Sequence, residues 1–262
     1  MILYYAGLGQ SRKVDKVAIE GGVKSALLSF YFYKGSLQDA KQKFENIFID
    51  SGGFTVRLRG GFVDVKAYGQ FLVDNKQFYT VAANLDTNDW DESQANFEYL
   101  YNLGVNVIPV YHMGDYIEGR RDVLDDWCKK YKYIAIGGYA GTKINMESTQ
   151  AILDFCFKKL IPNKVKAHGF GMTSLSLVKR YPFYSVDSTS WMASARYGIV
   201  NRWEGFQLKG YQFRDKHIIM RKGVMPEKYS MYQRLYDNVR EFQRMETDVT
   251  KLWQSRGMEY WI

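Results

Sequence analysis

Ionisable side chains recur in this sequence at the ends of short apolar runs. The pattern begins with Asn-Ile-Phe-Ile-Asp at 46–50, which is followed at once by Ser-Gly-Gly-Phe. A strand that only fills a core needs no carboxylate at its tip, so the repetition suggests side chains gathered for chemistry. The residues that end such runs are Asp50, Asp86, His112, His168 and Asp187.

Three carboxylates and two imidazoles are compatible with two kinds of chemistry. One is a metal site, and the other is glycosyl transfer, in which one carboxylate attacks an anomeric carbon while another moves protons. Metal-assisted hydrolysis would need a closely spaced ligand pair such as His-x-His near a strand tip. The histidines at 112, 168 and 217 are far apart in the sequence. The spacing therefore favours glycosyl transfer without settling the choice, and a metal-dependent hydrolase stays an alternative. If the chemistry is glycosyl transfer, we expect neither a metal nor an organic cofactor.

A third interpretation concerns the segment His-Gly-Phe-Gly-Met-Thr-Ser at 168–174. Its glycines could shape a loop of backbone N–H groups around a phosphate, as often happens in barrels of alternating strands and helices. A single Gly-x-Gly is common for other reasons, so this signal is weak.

The elements that must position these residues alternate between strand-like and helix-like. Eight runs rich in β-branched or aromatic residues predict strands at 2–7, 25–32, 46–52, 79–86, 105–113, 133–138, 164–171 and 183–188. Helical spacing of apolar residues predicts helices at 65–75, 91–104, 119–131, 146–160 and 173–181. This alternation favours a (β/α)8 barrel, with a doubly wound open sheet as the alternative. In such a barrel the strand ends that carry the acids meet at one rim.

The last part of the chain has a different pattern. We expect the barrel to occupy residues 1–195 and the rest, 196–262, to form a basic and aromatic segment with a C-terminal helix over 226–255 that packs on the barrel. The whole would be a single domain.

Composition limits the partners and the compartment. The chain has 262 residues, a formal net charge of +8 and 16% aromatic residues, a combination that suits a nucleic-acid surface. Its two cysteines, Cys128 and Cys156, are too few for a disulfide framework, so we expect buried thiols in a reducing cytoplasm. No apolar run is long enough for a membrane span, and the start of the chain lacks a basic leader, so we expect neither membrane nor signal peptide.

Three segments resemble motifs of the tRNA-guanine transglycosylase superfamily. Asp50 to Phe54 resembles its Asp-Ser-Gly-Gly-Phe motif, 134–141 resembles its Ile-Gly-Gly segment, and 183–191 lies where the family has its nucleophile strand. The order and approximate spacing agree across residues 1 to about 195. The segment Val-Asp-Ser-Thr-Ser-Trp is most similar to the small 7-deazaguanine DNA transglycosylases of phages and bacterial modification clusters, which would place the protein in a bacterial or host cytoplasm.

The resemblance implies roles for individual residues. Asp187 would be the nucleophile that attacks C1′, and Asp50 would be the general acid and base. The remaining residues would surround the base: they are Asp86, His112, Gly137, Gly138, Phe54 and His168. Asp86 would read the base, the glycines would let it approach, and His112 stands where the family usually has Gln.

The resemblance also implies a substrate. Family members acting on tRNA carry a zinc site of three cysteines and a histidine after the barrel, and here no cysteine follows Cys156. We therefore expect DNA as the polymer and a free 7-deazaguanine such as preQ0 as the incoming base. Base exchange on tRNA and a non-catalytic nucleic-acid-binding subunit are the alternatives.

The segment after the predicted nucleophile strand is expected to hold the polymer near the pocket mouth. Its cations are Arg196, Arg202, Lys209, Arg214, Lys216, Arg221 and Lys222, and its aromatic residues are Tyr197, Trp203, Phe206, Tyr211 and Phe213. A solvated basic loop with its aromatics packed on the barrel is the competing interpretation.

Overall fold

A ring of parallel strands surrounded by helices forms the body of the protein. The computed structural model describes residues 1–138, 144–212 and 230–258. The strands of the ring are β1 (Ile2–Ala6), β2 (Ser25–Ser29), β3 (Asn46–Asp50), β4 (Val81–Ala83), β5 (Val107–Ile108), β6 (Val110–His112), β7 (Tyr133–Gly137), β8 (Lys166–Gly169) and β9 (Ser185–Ser188). All pair in parallel, in the order β5-β4-β3-β2-β1-β9-β8-β7-β6. The predicted (β/α)8 barrel is confirmed, and the open sheet is excluded because β5 and β6, at the two ends of this order, are consecutive in the chain.

Helices connect the strands and cover the outside of the ring. They are α1 (Arg12–Glu20), α2 (Leu37–Lys41), α3 (Gly53–Leu58), α4 (Val65–Asp74), α5 (Trp90–Asn102), α6 (Met113–Ile117), α7 (Asp122–Lys130), α8 (Met146–Leu160), α9 (Leu175–Val178), α10 (Ser190–Arg196) and α11 (Met231–Ser255). Polar caps fix several starts: the Asn145 side chain accepts a bond from Ser148 N at 2.8 Å, as its place before α8 predicts.

The predicted fifth strand is present in two pieces. Pro109 separates β5, which pairs with β4, from β6, which pairs with β7. Proline has no N–H to donate to a ladder, so the pairing changes partner at this residue. The two pieces together occupy the position of one barrel strand. The backbone through Pro109 connects the two ends of the strand order and so closes the ring.

The apolar core has two parts because alternate strand residues face opposite sides. Tyr4, Phe48, Val81 and Ile108 are among the side chains that fill the barrel interior. A larger cluster lies between the strands and the helices and includes the free, buried Cys128 and Cys156. Both layers are close-packed, which holds the strand ends at the rim in fixed positions.

The C-terminal helix α11 takes the place of the eighth outer helix of the barrel. It begins near the rim, where Arg234 Nε donates to Ala195 O at 3.2 Å. It ends at the opposite face, where the Met1 ammonium donates to Thr250 Oγ1 at 2.9 Å. Leu235, Val239, Phe242 and Val249 form its buried face, in line with the expected helix that packs on the barrel. The division at residue 195 is therefore not a boundary, since the helix from 231 completes the barrel.

An antiparallel hairpin precedes α11 in the chain. It consists of β10 (Ile199–Trp203) and β11 (Leu208–Gln212). In the part of the chain that the structure describes, no helix combines the length and the apolar character that crossing a bilayer requires.

Candidate active site

Asp50 stands at the rim, at the carboxyl end of β3. Its Oδ2 accepts a hydrogen bond from Gly52 N at 3.0 Å, and its backbone oxygen accepts one from Phe30 N at 2.7 Å. Burial raises the pKa of Asp50 to about 7, and the negative charges of Asp86 and Asp187 act in the same direction. A carboxyl group with this pKa exchanges protons readily near neutral pH.

Asp86, in the segment after β4, is in contact with two cationic groups. Its Oδ2 lies 2.7 Å from His112 Nε2 and 3.9 Å from an Arg57 guanidinium nitrogen, and Arg57 also donates to the Asp86 backbone oxygen. Burial alone would raise the pKa of Asp86, but His112 and Arg57 outweigh it and hold this pKa below its ordinary value. Asp86 is therefore ionised at neutral pH.

His112 is held in place by its backbone as well as by its ring. Its N–H donates to Asp115 Oδ2 at 2.8 Å at the start of α6. Burial disfavours the imidazolium, but contact with Asp86 and the charge of Asp115 outweigh burial and raise the pKa of His112. Asp86 and His112 thus form an ion pair at the rim, with both groups still partly exposed.

Asp187 is the third acid of the rim and lies near the end of β9. Its Oδ1 accepts a hydrogen bond from Gly171 N at 2.8 Å and lies 3.5 Å from His168 Nε2. Only 13% of the Asp187 side chain is exposed. One oxygen is thus oriented by the loop after β8, while the group keeps some access to the rim.

A buried chain of polar groups continues from Asp187 into the barrel. His168 Nδ1 lies 2.7 Å from Ser185 Oγ, which lies 2.6 Å from the Tyr133 hydroxyl. When Tyr133 donates to Ser185 and Ser185 donates to Nδ1, the ring hydrogen of His168 is on Nε2 and faces Asp187. All three groups then donate in the direction of the carboxylate. Phe48 and Phe170 flank the imidazole, with ring centroids 4.5 and 4.6 Å away.

The predicted base contact of His168 does not fit this arrangement. His168 is fully buried, level with Ser185 and Ala135 in the sheet register, and so lies one layer beneath Asp187. A base at the rim would meet Asp187 first. Phe54, by contrast, is exposed beside the rim, a position from which the expected contact with a base is possible.

The glycines of the two motifs are explained mainly by internal packing. Gly52 has a φ of +81°, and a Cβ there would lie 2.5 Å from Ser29 Oγ. A Cβ on Gly137 would lie 3.1 Å from His112 Cε1, and one on Gly138 3.4 Å from His112 Nδ1. The glycine pair at the end of β7 therefore leaves room for the imidazole of His112. The expectation that these glycines admit the base directly stays a prediction.

The hairpin does not lie where the basic segment was expected. Asn201 N donates to Asn238 Oδ1 and Trp203 Nε1 donates to Asp248 Oδ2, so β10 follows α11 away from the rim. Near the hairpin turn, Phe206 faces Lys179, which precedes β9. The prediction that this segment lies at the pocket mouth is wrong for Arg202 and Lys209.

Those two cations also have acidic partners within the protein. Arg202 pairs with Asp237 at 3.0 Å, and Lys209 pairs with Glu204 at 2.8 Å. Arg196 is exposed at the end of α10, close to the rim. Arg214, Lys216, Arg221, Lys222 and Phe213 lie outside the described residues, so their predicted role is not tested.

Two features of the site were not predicted from the sequence. Arg57 supports Asp86 from the first helix after the Asp50 motif, and its spacing of seven residues from Asp50 could have suggested a shared rim position. Tyr133 and Ser185 begin their strands rather than end them, and only the barrel register places them beneath Asp187.

Neither a cluster of metal-ligand side chains nor a pronounced cavity marks this rim in the described part of the chain. No group of three or more His, Cys, Asp or Glu side chains arranged to hold a metal ion occurs within 1–138, 144–212 and 230–258. Two open surface depressions lie elsewhere, one beside Trp203 and Arg244 and one beside Arg12 and Lys43. Neither contains the acids, so convergent chemistry and not cavity size identifies the candidate site.

Comparison with known proteins supports the fold only. No family model and no curated protein matches the sequence. A solved structure of a mutant tryptophan synthase α-subunit from the hyperthermophile Pyrococcus furiosus is similar, with a TM-score of 0.50. The likeness covers 93% of this chain and 97% of that one at 14% sequence identity. At that identity it says nothing about the activity of this chain.

Proposed function

We propose that this protein is a transglycosylase that exchanges guanine in DNA for a free 7-deazaguanine base such as preQ0. The observation that carries the proposal is the meeting of two rim acids in different settings. Burial raises the pKa of Asp50 to about 7, and the nearby Asp187 has one oxygen oriented by the Gly171 N–H. A pair of carboxyl groups, one to move protons and one to attack, is the usual equipment of enzymes that break glycosidic bonds.

The exchange would proceed by double displacement. An Asp187 oxygen attacks C1′ and forms an ester bond as the C1′–N9 bond to guanine breaks, and Asp50 gives its proton to the leaving base. The incoming base then loses its N9 proton to Asp50, and its nitrogen attacks C1′ as the bond to Asp187 breaks. The proton and the bonds balance over the two steps, and no oxidant or metal enters.

The ion pair of Asp86 and His112 would read the base. Asp86 accepts hydrogen bonds from the N–H groups on the pyrimidine edge of a guanine-type base, and Arg57 keeps it ionised. His112 differs from the Gln of the similar family, and through its contact with Asp86 it would orient that carboxylate toward the base. A base edge with adjacent N–H donors, as in guanine, fits this carboxylate better than adenine or a pyrimidine.

The test is isotope exchange with the purified protein. Labelled guanine is incubated with double-stranded DNA, single-stranded DNA and tRNA, and the label that becomes acid-insoluble is measured. We expect incorporation into DNA. Incorporation into tRNA alone would establish the same chemistry on the other polymer, and no incorporation into any polymer would contradict the proposal. An Asp187→Ala variant is the matched control.

A further inference from the structure

The loops after β2 and β3 carry an exposed aromatic surface directly beside the acids. Tyr31 is 44% exposed, Phe54 52%, Leu58 73% and Phe62 81%. Lys34 and Arg59 are exposed in the same two loops. We call these six residues the aromatic rim patch.

The two loops form one continuous surface. The Arg59 guanidinium lies 5.4 Å from the ring centre of Phe32, which in turn contacts Tyr31 edge to face at 5.0 Å. A Cβ on Gly52 would lie 3.0 Å from Tyr31 Cβ, so the β2 loop also touches the turn that follows Asp50. The Lys34 ammonium lies 5.8 Å from the centre of the Tyr31 ring. Each of the two cations therefore lies over an aromatic ring of the β2 loop.

The patch also belongs to the wall of the acid site. Helix α3 begins three residues after Asp50, and its Arg57 contacts Asp86 while Phe54 and Leu58 face solvent. Apolar side chains this exposed have no packing role in the described parts of the molecule. Phe54 and Leu58 thus lie on the same short helix as Arg57, next to the acid site, where a strand that enters from this side would contact them.

We propose that the aromatic rim patch binds the unstacked strand of the nucleic acid on either side of the target nucleotide. This inference rests on the proposed function, since it names how that function's polymer is held. Flat rings suit bases that have lost their stacking partners, and Lys34 and Arg59 match the phosphates between them. Asp64, at the end of the second loop, accepts hydrogen bonds from Lys66 N and Ala67 N as the cap of α4.

The test measures binding of a single-stranded DNA 15-mer by fluorescence anisotropy at several salt concentrations. Every protein carries Asp187→Ala, so that no covalent exchange contributes to the signal. The double variant Phe62→Ala/Arg59→Gln removes one ring and one cation from the patch. The matched control is Tyr101→Ala/Lys130→Gln, which removes an exposed ring and a cation at the opposite end of the barrel.

We expect the patch variant to bind roughly tenfold or more weakly, because a lost stacking contact and a lost phosphate contact both contribute. The slope of log affinity against log salt should become shallower by about 0.7, the value for one phosphate on a single strand. The control should bind as the parent does. Tyr31→Ala, which lies in the other loop, should also weaken binding.

Three results would overturn the inference: a patch variant that binds as tightly as the parent, an equal loss in the control, or a parent protein that does not bind the oligonucleotide. Because binding is read without turnover, a weakened patch variant supports the surface even if labelled guanine is never incorporated. Incorporation with normal binding by the patch variant would leave the proposed function standing and the patch without its role.

Discussion

Two largely buried carboxyl groups, one at each end of the barrel, both have a raised pKa but differ in their surroundings. Asp50 at the rim and Glu246 on α11 both have a pKa raised to about 7, in each case chiefly by burial. Glu246 accepts a hydrogen bond from Leu3 N at 2.9 Å and is near the Met1 ammonium. Asp50 instead has two other carboxylates, Asp86 and Asp187, as neighbours.

The difference shows that a raised pKa does not by itself identify an active site. Glu246 joins α11 to β1, so its oxygen already has a structural partner. The neighbours of Asp50 raise its pKa further and leave it beside a group suited to nucleophilic attack. Perturbed acids identify a functional site only when other reactive groups converge on them. The following experiments separate the two ends of the barrel.

Removing Asp187, the proposed nucleophile, should lower activity the most. Asp187→Ala should lower base exchange by about a thousandfold or more, because it removes the carboxylate proposed to form the sugar ester. Binding of DNA should be nearly unchanged, since the rim surface remains. Single-turnover exchange with labelled guanine measures the first quantity and anisotropy the second. A variant that retains a tenth of the exchange rate would remove Asp187 from the mechanism.

Replacing Asp50 should lower activity nearly as much. Asp50→Asn should slow both base release and base incorporation by about 10²–10⁴-fold, since one group acts as acid and then as base. In the parent, base release should be constant below pH 7 and fall above it as Asp50 loses its proton. That fall should be absent in the variant. Single-turnover rates from pH 5 to 9 provide the check, and an unchanged profile would contradict the role of Asp50.

Substitutions in the buried series of hydrogen-bonded groups behind Asp187 should lower activity to an intermediate extent. Ser185→Ala removes the partner of His168, so Asp187 should lose part of its fixed orientation and kcat should fall roughly tenfold with KM unchanged. Tyr133→Phe removes only the outer hydroxyl and should have a smaller effect of the same kind. Thermal melts control for folding. Equal kcat in the parent and both variants would show that these polar groups contribute only to the packing of the barrel interior.

The smallest effect on activity should come from the opposite end. Glu246→Gln should leave exchange unchanged and alter only stability. In the parent, the raised pKa means that the folded protein keeps a proton that the unfolded chain loses, so stability falls as the pH rises from 4.5 to about 7. The variant should lack this fall and be more stable above pH 7 by about 1–3 kcal/mol.

Urea denaturation at pH 5, 6, 7 and 8 measures this difference. The same pH dependence in parent and variant would mean that Glu246 does not titrate in this range. A lowered exchange rate would mean that the two ends of the barrel are coupled.

Much of the barrel was predictable because its signal is local. Eight short apolar runs with intervening helical periods specify the strand count, and parallel strands end at one rim, which places Asp50, Asp86 and Asp187 together. Pro109 divides the fifth strand because pairing depends on each backbone N–H, which an apolar pattern does not show. The role of α11 as eighth outer helix was not visible either, because more than 30 residues separate it from β9.

The sequence could predict which acids form the site, but not which residues lie at the rim and which lie in the layer beneath it. Whether an inward-facing residue lies at the rim or below it depends on the register between strands. His168 is paired with Ser185, two residues before Asp187, and this places it in the layer beneath. Likewise, Arg202 and Trp203 are basic and aromatic, as a nucleic-acid surface requires, but acids on α11 hold them against the helix. Composition alone does not distinguish these two uses.

The most direct test of the central claim is the mass of the covalent intermediate. The protein is incubated with a guanine-containing DNA oligonucleotide without free base, denatured and measured intact. We expect a species with the mass of the protein plus the oligonucleotide minus one guanine, whose peptide map places the bond on Asp187. Asp187→Ala should not form it. Guanine exchange by the parent without this species, or with the bond on another residue, would contradict the account.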